Sequence, residues 1–268
     1  MFINLLAIIK VIACLRVSPL TASNTQLRDL NMTHFSNKKA LVLGGSRGIG
    51  AAVVARLQKD GADTTFTYAS SDQAATEVAA ETGAKPIKVD SSNREALAAV
   101  IRDQGALDIL VISAGVLVMG DALELNPDDI DNMLDINVRS PYHASIEAAK
   151  NMNEGGRIVI IGSVNADRMP MAGGAAYALS KSAMQGFVRG LARDLGHKNI
   201  TVNNVQPGPT DTDMNPEDGP MKDVMHSFMA IKRHVKAEEI AGMVAYLTGP
   251  EASIITGAQH SIDAGFSA

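Results

Sequence analysis

The sequence predicts a single α/β domain, a doubly wound parallel sheet with helices on both faces. From residue 38 onward, short apolar runs rich in β-branched residues alternate with amphipathic stretches of helix length, the pattern of a parallel sheet covered on both sides. The chain has 268 residues, 46% hydrophobic and 20% charged. It is therefore long enough for one sizeable core and has a globular composition.

Apolar runs of four or five residues predict strands, and apolar residues at three- and four-residue spacing predict helices. In chain order, we predict strand 40–44, helix 49–59, strand 64–68, helix 72–81, strand 85–89, helix 94–102, strand 108–112, a helical region after Pro127 running through 137–151, strand 157–161, helix 175–196, strand 200–205, helix 237–247 and strand 260–263. Right-handed crossovers place the carboxyl ends of these strands on one edge of the sheet, where ligands bind in such folds.

Charge and composition exclude several function classes. The net charge of −5 and the few aromatic residues (4%, no Trp) leave neither a basic surface nor a stacking platform for a nucleic-acid polymer. Cys14 is the one cysteine, so no internal disulfide forms, and the histidines lack the spacing of a zinc motif. We therefore expect a cytoplasmic protein with no metal.

Residues 1–37 differ in character from the rest, and we treat them as an extension ahead of a domain at 38–268. Lys10 and Arg16 interrupt the apolar stretch at 2–20, which argues against a membrane span. The stretch lacks the basic start of a secretory signal, although residues 11–14 resemble a lipoprotein processing box. We favour translation starting at Met32.

A glycine-rich loop directly follows the first predicted strand and opens the first helix. Its residues are Gly44, Ser46, Arg47, Gly48, Ile49 and Gly50. Glycines let the backbone approach a pyrophosphate closely, and the helix start offers free N–H groups and a positive dipole. A glycine cluster alone also suits a turn without a ligand, so the position after the strand is what predicts a dinucleotide site.

The end of the second strand predicts which dinucleotide binds. NAD sites place a carboxylate there for the ribose 2′-hydroxyl, whereas this chain has Tyr68, Ala69 and Ser70. Arg47 in the loop is a planar, permanent cation suited to a 2′-phosphate. We therefore predict NADP(H). The alternative is that Arg47 is only an exposed charge and either cofactor is accepted.

A serine, a tyrosine and a lysine predict the chemistry. Ser163 ends a buried strand, while Tyr177 and Lys181 share one helix face at i and i+4. A carbonyl that receives hydride needs a proton donor and a second hydrogen-bond donor. Tyr177 and Ser163 supply them, and Lys181 favours the phenolate of a phenol whose ordinary pKa is about 10. A small carbonyl or alcohol is the expected substrate.

The loop spacing and the order of Ser163, Tyr177 and Lys181 resemble the short-chain dehydrogenase/reductase family, over residues 38–268. The resemblance implies a Rossmann-type fold, with Lys181 also holding the nicotinamide ribose and Asn137 supporting a proton-relay water. It further implies a homotetramer or dimer built through helices 137–151 and 175–196.

Further positions match the family's cofactor motifs. They are Asp90 for the adenine ring, Ala114 and Gly115 after the fourth strand, and Pro207, Gly208, Thr210 and Thr212 toward the nicotinamide. Two positions depart from the family: Leu43 replaces the usual Thr before the loop, and Ser113 replaces the usual Asn. Each departure removes one side chain that supports the local backbone.

The substrate side is predicted from position in the family pattern. Residues 164–176 border the pocket, with Arg168 and Met169 as candidate contacts. Residues 215–234 occupy the place of the family's substrate lid and contain Met221, Met225 and Met229. Flexible methionines suit an adaptable apolar wall, although ordinary helix packing explains them equally well.

A second function class follows from residues 162–170 and 203–213, which especially resemble family members that bind cyclic-di-GMP and regulate biofilm dispersal. On that alternative, turnover is secondary or absent. A third possibility, reduction of an acyl-carrier-protein thioester, requires a basic docking face.

Overall fold

The structure is a computed structural model that describes residues 34–268. The membrane, processing and start-site interpretations concern residues up to Met32 and lie outside the described residues. Across 34–268, no helix combines the length and apolar character needed to cross a membrane.

Seven parallel strands form the main sheet. Residues 34–268 contain nine strands in two sheets: β1 (Lys39–Leu43), β2 (Asp63–Tyr68), β3 (Lys85–Lys88), β4 (Ile109–Ile112), β5 (Arg157–Ile161), β6 (Thr201–Pro207), β7 (Thr210–Asp211), β8 (Val235–Lys236) and β9 (Gln259–Ile262). The main sheet has the order β3-β2-β1-β4-β5-β6-β9, and β7 pairs with β8 separately. The chain reverses direction across the sheet between β1 and β4, which opens a ligand crevice at their carboxyl ends. The predicted doubly wound fold is confirmed.

Helices cover both faces of this sheet. They are α1 (Gly48–Lys59), α2 (Asp72–Thr82), α3 (Arg94–Asp103), α4 (Pro127–Leu134), α5 (Ser140–Asn151), α6 (Ala175–Leu195), α7 (Lys222–Phe228) and α8 (Ala237–Thr248). Alternation along β1 supplies both cores: Val42 packs with residues of α1 and α8, while Leu41 and Leu43 pack with α3, α5 and α6. Burying each such side chain stabilises the fold by about 1.5–3 kcal/mol.

The long helical region predicted after Pro127 differs in one respect. A π-helical turn at Asp135–Arg139 separates α4 from α5, and wide turns of this kind occur mostly at functional sites. The side chain of Asn137 leaves this turn and bonds the backbone of Val116. Sequence periodicity does not register one extra residue in a helix, so the turn was not predicted.

Candidate active site

The glycine loop between β1 and α1 has room for backbone only. Gly44 adopts φ +78°, and a Cβ on Gly50 would lie 1.9 Å from the Gly44 carbonyl oxygen. The amide of Gly44 donates to Thr67 Oγ1 at 3.2 Å, and the amide of Gly45 donates to the Thr67 carbonyl at 2.9 Å. Thr67 on β2 thus supplies a side-chain hydrogen bond to the loop, which the apolar side chain of Leu43 cannot do. Sequence reasoning missed it, although a Thr in a fully buried strand was the available signal.

Arg47 lies at the outer end of this loop and is exposed. It borders an open depression of about 430 Å³ whose other lining residues are Ser70, Ser71, Asp72, Gln73, Ala74 and Glu77. Arg47 and Ser70, both predicted cofactor contacts, therefore share one surface. Ser46 and Ile49 lie in the same loop, and Ala69 adjoins Ser70 at the end of β2.

An acid that the strand-end prediction did not consider also borders the depression. Asp72 begins α2 and forms an ion pair with Lys88 Nζ at 2.8 Å. The hydrogen bond from Lys88, followed by one from the Tyr68 hydroxyl, holds the pKa of Asp72 below its ordinary value. Lys88 therefore offsets the negative charge of Asp72, and the Tyr68 hydroxyl is a hydrogen-bond partner of Asp72.

The other predicted cofactor positions lie on the same edge. Asp90 follows β3, is exposed and accepts a hydrogen bond from the Ser92 amide at 2.9 Å. Gly208 leaves no space for a side chain, since its Cβ would lie 2.7 Å from Asp263 Cα. Thr210 Oγ1 donates to the Gly208 carbonyl at 2.9 Å, and Pro207 ends β6 immediately before it.

Two loops meet at the start of α1. A Cβ on Gly48 would lie 3.1 Å from Cγ2 of Thr212, so the loop after β6 contacts the glycine loop after β1. Ala114, following β4, donates its amide to the Leu43 carbonyl at 2.8 Å. The cofactor positions predicted far apart in sequence are thus brought to one crevice.

Ser163, Tyr177 and Lys181 lie together at the carboxyl end of β5. The Ser163 side chain lies near enough to the Tyr177 hydroxyl to lower its pKa, and the Ser163 oxygen accepts from the Asn165 amide at 3.1 Å. A serine hydroxyl that accepts one hydrogen bond still has its own proton to donate. Lys181 Nζ lies 5.7 Å from the centre of the Tyr177 ring.

Burial controls the ionisation of this group. It raises the pKa of Tyr177, and the nearby Ser163 side chain offsets part of that rise. Burial likewise lowers the pKa of Lys181 to about 8. The Lys181 ammonium donates to the Ile161 carbonyl at 3.2 Å rather than to the phenol. The pKa of Tyr177 is therefore shifted upward, opposite to the lowering that the sequence predicts from Lys181, because desolvation is the largest cause.

Asn137 joins the same cluster through its amide. Its side chain exchanges two hydrogen bonds of 2.9 Å with the Val116 backbone and donates to Ser180 Oγ at 3.1 Å. A Cβ on Gly115 would lie 3.4 Å from Asn137 Oδ1 and 3.5 Å from Lys181 Nζ. Gly115 therefore forms a floor of bare backbone facing these two polar groups. Ser180, which precedes Lys181, is a supporting residue that sequence reasoning missed.

A buried glutamine supports the backbone of Ser163. Gln206 Nε2, fully buried in β6, donates to the Ser163 carbonyl at 3.0 Å and to Asp167 Oδ2 at 2.7 Å. Gln185 from α6 donates to the other oxygen of Asp167 at 2.6 Å. These bonds couple β5, β6 and α6 around the serine. The polar side chains within the central strand β6 were the signal for them.

The expected substrate contacts are only partly placed at the pocket. Arg168 donates to the Phe266 carbonyl at 2.5 Å, and its guanidinium lies 5.9 Å from the ring centres of both Phe228 and Phe266. Arg168 therefore contacts the C-terminal residues, and its substrate contact stays a prediction. Met169 packs against Gly174, where a Cβ would meet Met169 Cε at 2.3 Å.

The three methionines of the lid stretch have different environments. Met229 is 1% exposed and packs with Val164 and Phe266, and Met225 packs on the edge of that cluster. Met221 is 41% exposed. Ordinary packing therefore accounts for Met229 and for much of Met225, and Met221 alone of the three is open to a ligand.

The glycine loop, Ser163 at a strand end, the partly buried Tyr177 and the buried Lys181 lie along one Rossmann-type crevice. A family model described as enoyl-(acyl carrier protein) reductase matches residues 44–267. The chain belongs to the short-chain dehydrogenase/reductase family.

Individual relatives agree with this assignment. The chain is 62% identical over 237 residues to the cyclic-di-GMP-binding biofilm dispersal mediator protein of Escherichia coli (strain K12), covering 88% of this chain and 100% of that protein. The crystal structure of BdcA in complex with NADPH matches at a TM-score of 0.86 and 63% identity, covering 87% of this chain and 95% of the other. A short-chain dehydrogenase from Burkholderia cenocepacia J2315 in complex with NADP matches at 0.85 and 46%, covering 88% and 100%.

Proposed function

We propose that this chain is an NADP(H)-dependent oxidoreductase that transfers hydride between the nicotinamide and a carbonyl or alcohol substrate. The observation that carries the proposal is the convergence of Ser163, Tyr177 and Lys181 at the end of β5, where Lys181 Nζ lies 5.7 Å from the Tyr177 ring centre and 3.2 Å from the Ile161 carbonyl. Two hydroxyl donors at one point are what a developing alkoxide requires.

The Tyr177 and Ser163 hydroxyls have different roles at the substrate oxygen. When bound, the reduced nicotinamide supplies the hydride. Tyr177 donates its proton to the substrate oxygen, and Ser163, whose oxygen is oriented by the Asn165 amide, donates a second hydrogen bond to that oxygen. A positioned proton donor of this kind contributes about 10²- to 10⁴-fold to the rate.

Lys181 and Asn137 support the proton donor. With a pKa of about 8, Lys181 carries its charge at neutral pH at the expense of desolvation. A polar or anionic group that binds over the Gly115 floor offsets the desolvation of the Lys181 ammonium. We therefore expect Lys181 to bind the nicotinamide ribose and to stabilise the Tyr177 phenolate. Asn137, held by Val116, is placed to support a relay water.

The choice of NADP(H) rests on the outer end of the crevice. Arg47 borders a depression of about 430 Å³ whose neighbouring acid, Asp72, is paired with Lys88. A 2′-phosphate there meets the Arg47 guanidinium, and the other lining acid, Glu77, accepts a hydrogen bond from Gln73 Nε2 at 2.9 Å. The NADPH and NADP found with the two related structures support the same choice.

Deuterium transfer tests the proposal directly. Purified chain is incubated with NADPH carrying deuterium at both C4 positions and with a panel of aldehydes, ketones and one ketoacyl-carrier-protein thioester. We expect at least one product with deuterium on the former carbonyl carbon, formed faster with NADPH than with NADH. A panel with no deuterated product contradicts the proposal.

A second candidate function is binding of cyclic-di-GMP as a regulator. It is favoured by 62% identity along the whole length of a protein named for that ligand. Calorimetry with cyclic-di-GMP, with and without NADPH, is expected to give a Kd in the micromolar range or tighter, about −8 kcal/mol. Equal affinity in wild type and Tyr177→Phe would separate binding from turnover, and undetectable heat in both conditions rejects this function.

A further inference from the structure

Three metal-ligating side chains converge in the segment that connects β7 to β8, here called the lid segment (residues 212–234). They are Glu217, His226 and His234, and their ligand atoms all lie within 4.8 Å of one another. His226 Nε2 is 3.0 Å from His234 Nδ1 and 3.8 Å from Glu217 Oε1. None of the three belongs to the active site described above.

The chemistry of the two rings suits a cation. At 3.0 Å, the facing nitrogens His226 Nε2 and His234 Nδ1 share one hydrogen bond, in which one ring donates its N–H and the other accepts. His234 is 1% exposed. Neutral imidazole is the form that binds metal. Moving the shared proton to the far ring nitrogen frees both facing lone pairs at once.

The spacing of the donors matches zinc. Zn–N bonds of about 2.0–2.1 Å in a tetrahedral site place neighbouring ligand atoms about 3.3 Å apart. The observed separations of 3.0 and 3.8 Å lie on either side of that value. Two imidazoles and one carboxylate are a nitrogen-rich set that zinc prefers, whereas magnesium and calcium prefer oxygen. Three protein ligands leave the fourth position to water.

Neighbouring groups hold the carboxylate in place. Asp211 Oδ1 accepts from the Glu217 amide at 2.9 Å, and Glu217 Oε1 accepts from the His234 amide at 3.2 Å. Supporting bonds of this kind orient metal ligands. The ligands are nine and eight residues apart in sequence, a spacing that matches no zinc motif, which is why the sequence predicted no metal.

We propose that Glu217, His226 and His234 bind one Zn²⁺ ion that fastens the lid segment. The ligands come from its beginning, its helix α7 and its end, so a single ion ties together three points of the segment. Met229 of the same segment packs on Val164, the neighbour of Ser163. Fastening the segment therefore restrains the wall next to the catalytic serine. That effect on turnover rests on the proposed function, whereas the zinc site does not.

Titration of the metal-free, untagged full chain with ZnCl₂ tests the site. We expect one Zn²⁺ per chain with a Kd in the micromolar range or tighter, and at least about 100-fold weaker binding in His226→Gln, beyond the 10- to 100-fold typical of losing a supporting bond alone. His197→Gln removes an exposed histidine elsewhere and is expected to leave the affinity unchanged. No binding by wild type, or equal loss in both variants, overturns the proposal.

Limited trypsin digestion tests the fastening without any substrate. Lys222, Lys232 and Arg233 are exposed cleavage points in the lid segment. Saturating Zn²⁺ is expected to slow cleavage there several-fold in wild type and to leave the rate unchanged in His226→Gln. Unchanged cleavage in wild type contradicts the fastening. If zinc binds and slows cleavage while no carbonyl is ever reduced, the proposed oxidoreductase function fails and the zinc site stands.

Discussion

The two ends of the crevice lie on the same sheet edge, but the side chains of the inner end are buried and those of the outer end are exposed to solvent. At the inner end, Ser163 and Lys181 are each 7% exposed and bonded to backbone. At the outer end, Arg47 is exposed, and the paired side chains of Asp72 and Lys88 are 63% and 55% exposed. Desolvation therefore governs reactivity at the inner end, whereas screened charges govern recognition at the outer end.

The difference sets the size of the effects to expect. Lowering the Lys181 pKa from 10.5 to about 8 corresponds to a preference of about 3 kcal/mol for the neutral form. Exposed ion pairs such as Asp72 with Lys88 contribute about 0–1 kcal/mol. Substitutions at the inner end should therefore change rates strongly, and substitutions at the outer end should change cofactor choice moderately.

Removing the phenolic proton donor gives the largest expected effect. We expect Tyr177→Phe to lower kcat by about 10³-fold or more, because the aliphatic Ser163 hydroxyl is a much weaker acid than a phenol and cannot replace the proton that Tyr177 donates. The Kd for NADPH should stay within about threefold, since the ring remains. Steady-state kinetics and calorimetry measure the two values. A variant with near wild-type kcat would falsify the catalytic assignment of Tyr177.

Stability against pH tests the desolvation of Lys181. Its pKa is about 8 in the folded chain, below the ordinary 10.5, so the unfolded state binds more protons between those values. The free energy of unfolding therefore rises with pH across that window. Relative to Lys181→Met, wild type should gain about 2–3 kcal/mol between pH 7 and 10.5.

Urea unfolding at several pH values measures this gap. Lys59→Met, which removes an exposed lysine, is the matched control and should show no such drift. A constant gap between wild type and Lys181→Met across the whole range contradicts the account of the inner end.

Arg47→Gln tests the outer end. We expect the KM for NADPH to rise about 10- to 100-fold, the loss associated with hydrogen bonds from a charged donor, while the KM for NADH stays within about threefold. Arg94→Gln, an exposed arginine outside the depression, is the control. Equal changes for both cofactors would show that Arg47 does not contact the 2′-phosphate.

Asp72→Asn gives the smallest expected effect. Because Lys88 already offsets the Asp72 charge, affinity for NADPH should rise no more than about threefold, and stability should change by less than about 1 kcal/mol. Equilibrium titration of NADPH and thermal unfolding measure these values. A gain above tenfold would indicate that Asp72 acts as an unscreened acid at the strand end.

Much of the fold follows from local pattern, because buried parallel strands read as continuous apolar runs and α1, α6 and α8 have clear periodicity. Ser163, Tyr177 and Lys181 were also predictable, since each occupies a strand end or a helix face with fixed geometry. Thr67 and Gln206 were not, because their roles depend on which backbone lies beside them after folding.

Short elements escaped prediction for a different reason. The π-helical turn around Asn137 adds one residue to a helix, and β7, α7 and β8 are too brief to show any period. Arg168 is a third case: its partners, Phe228 and Phe266, are 60 or more residues away in sequence. Only the folded chain shows that Arg168 binds the C-terminal tail.

A structure of the chain with NADPH tests the central claim most directly. We expect the nicotinamide ribose within hydrogen-bond distance of Lys181 over the Gly115 floor, and the nicotinamide ring facing the Tyr177 and Ser163 hydroxyls. The 2′-phosphate should contact Arg47. Nicotinamide bound away from Tyr177, or NADPH absent from the crevice at saturating concentration, would contradict the oxidoreductase account.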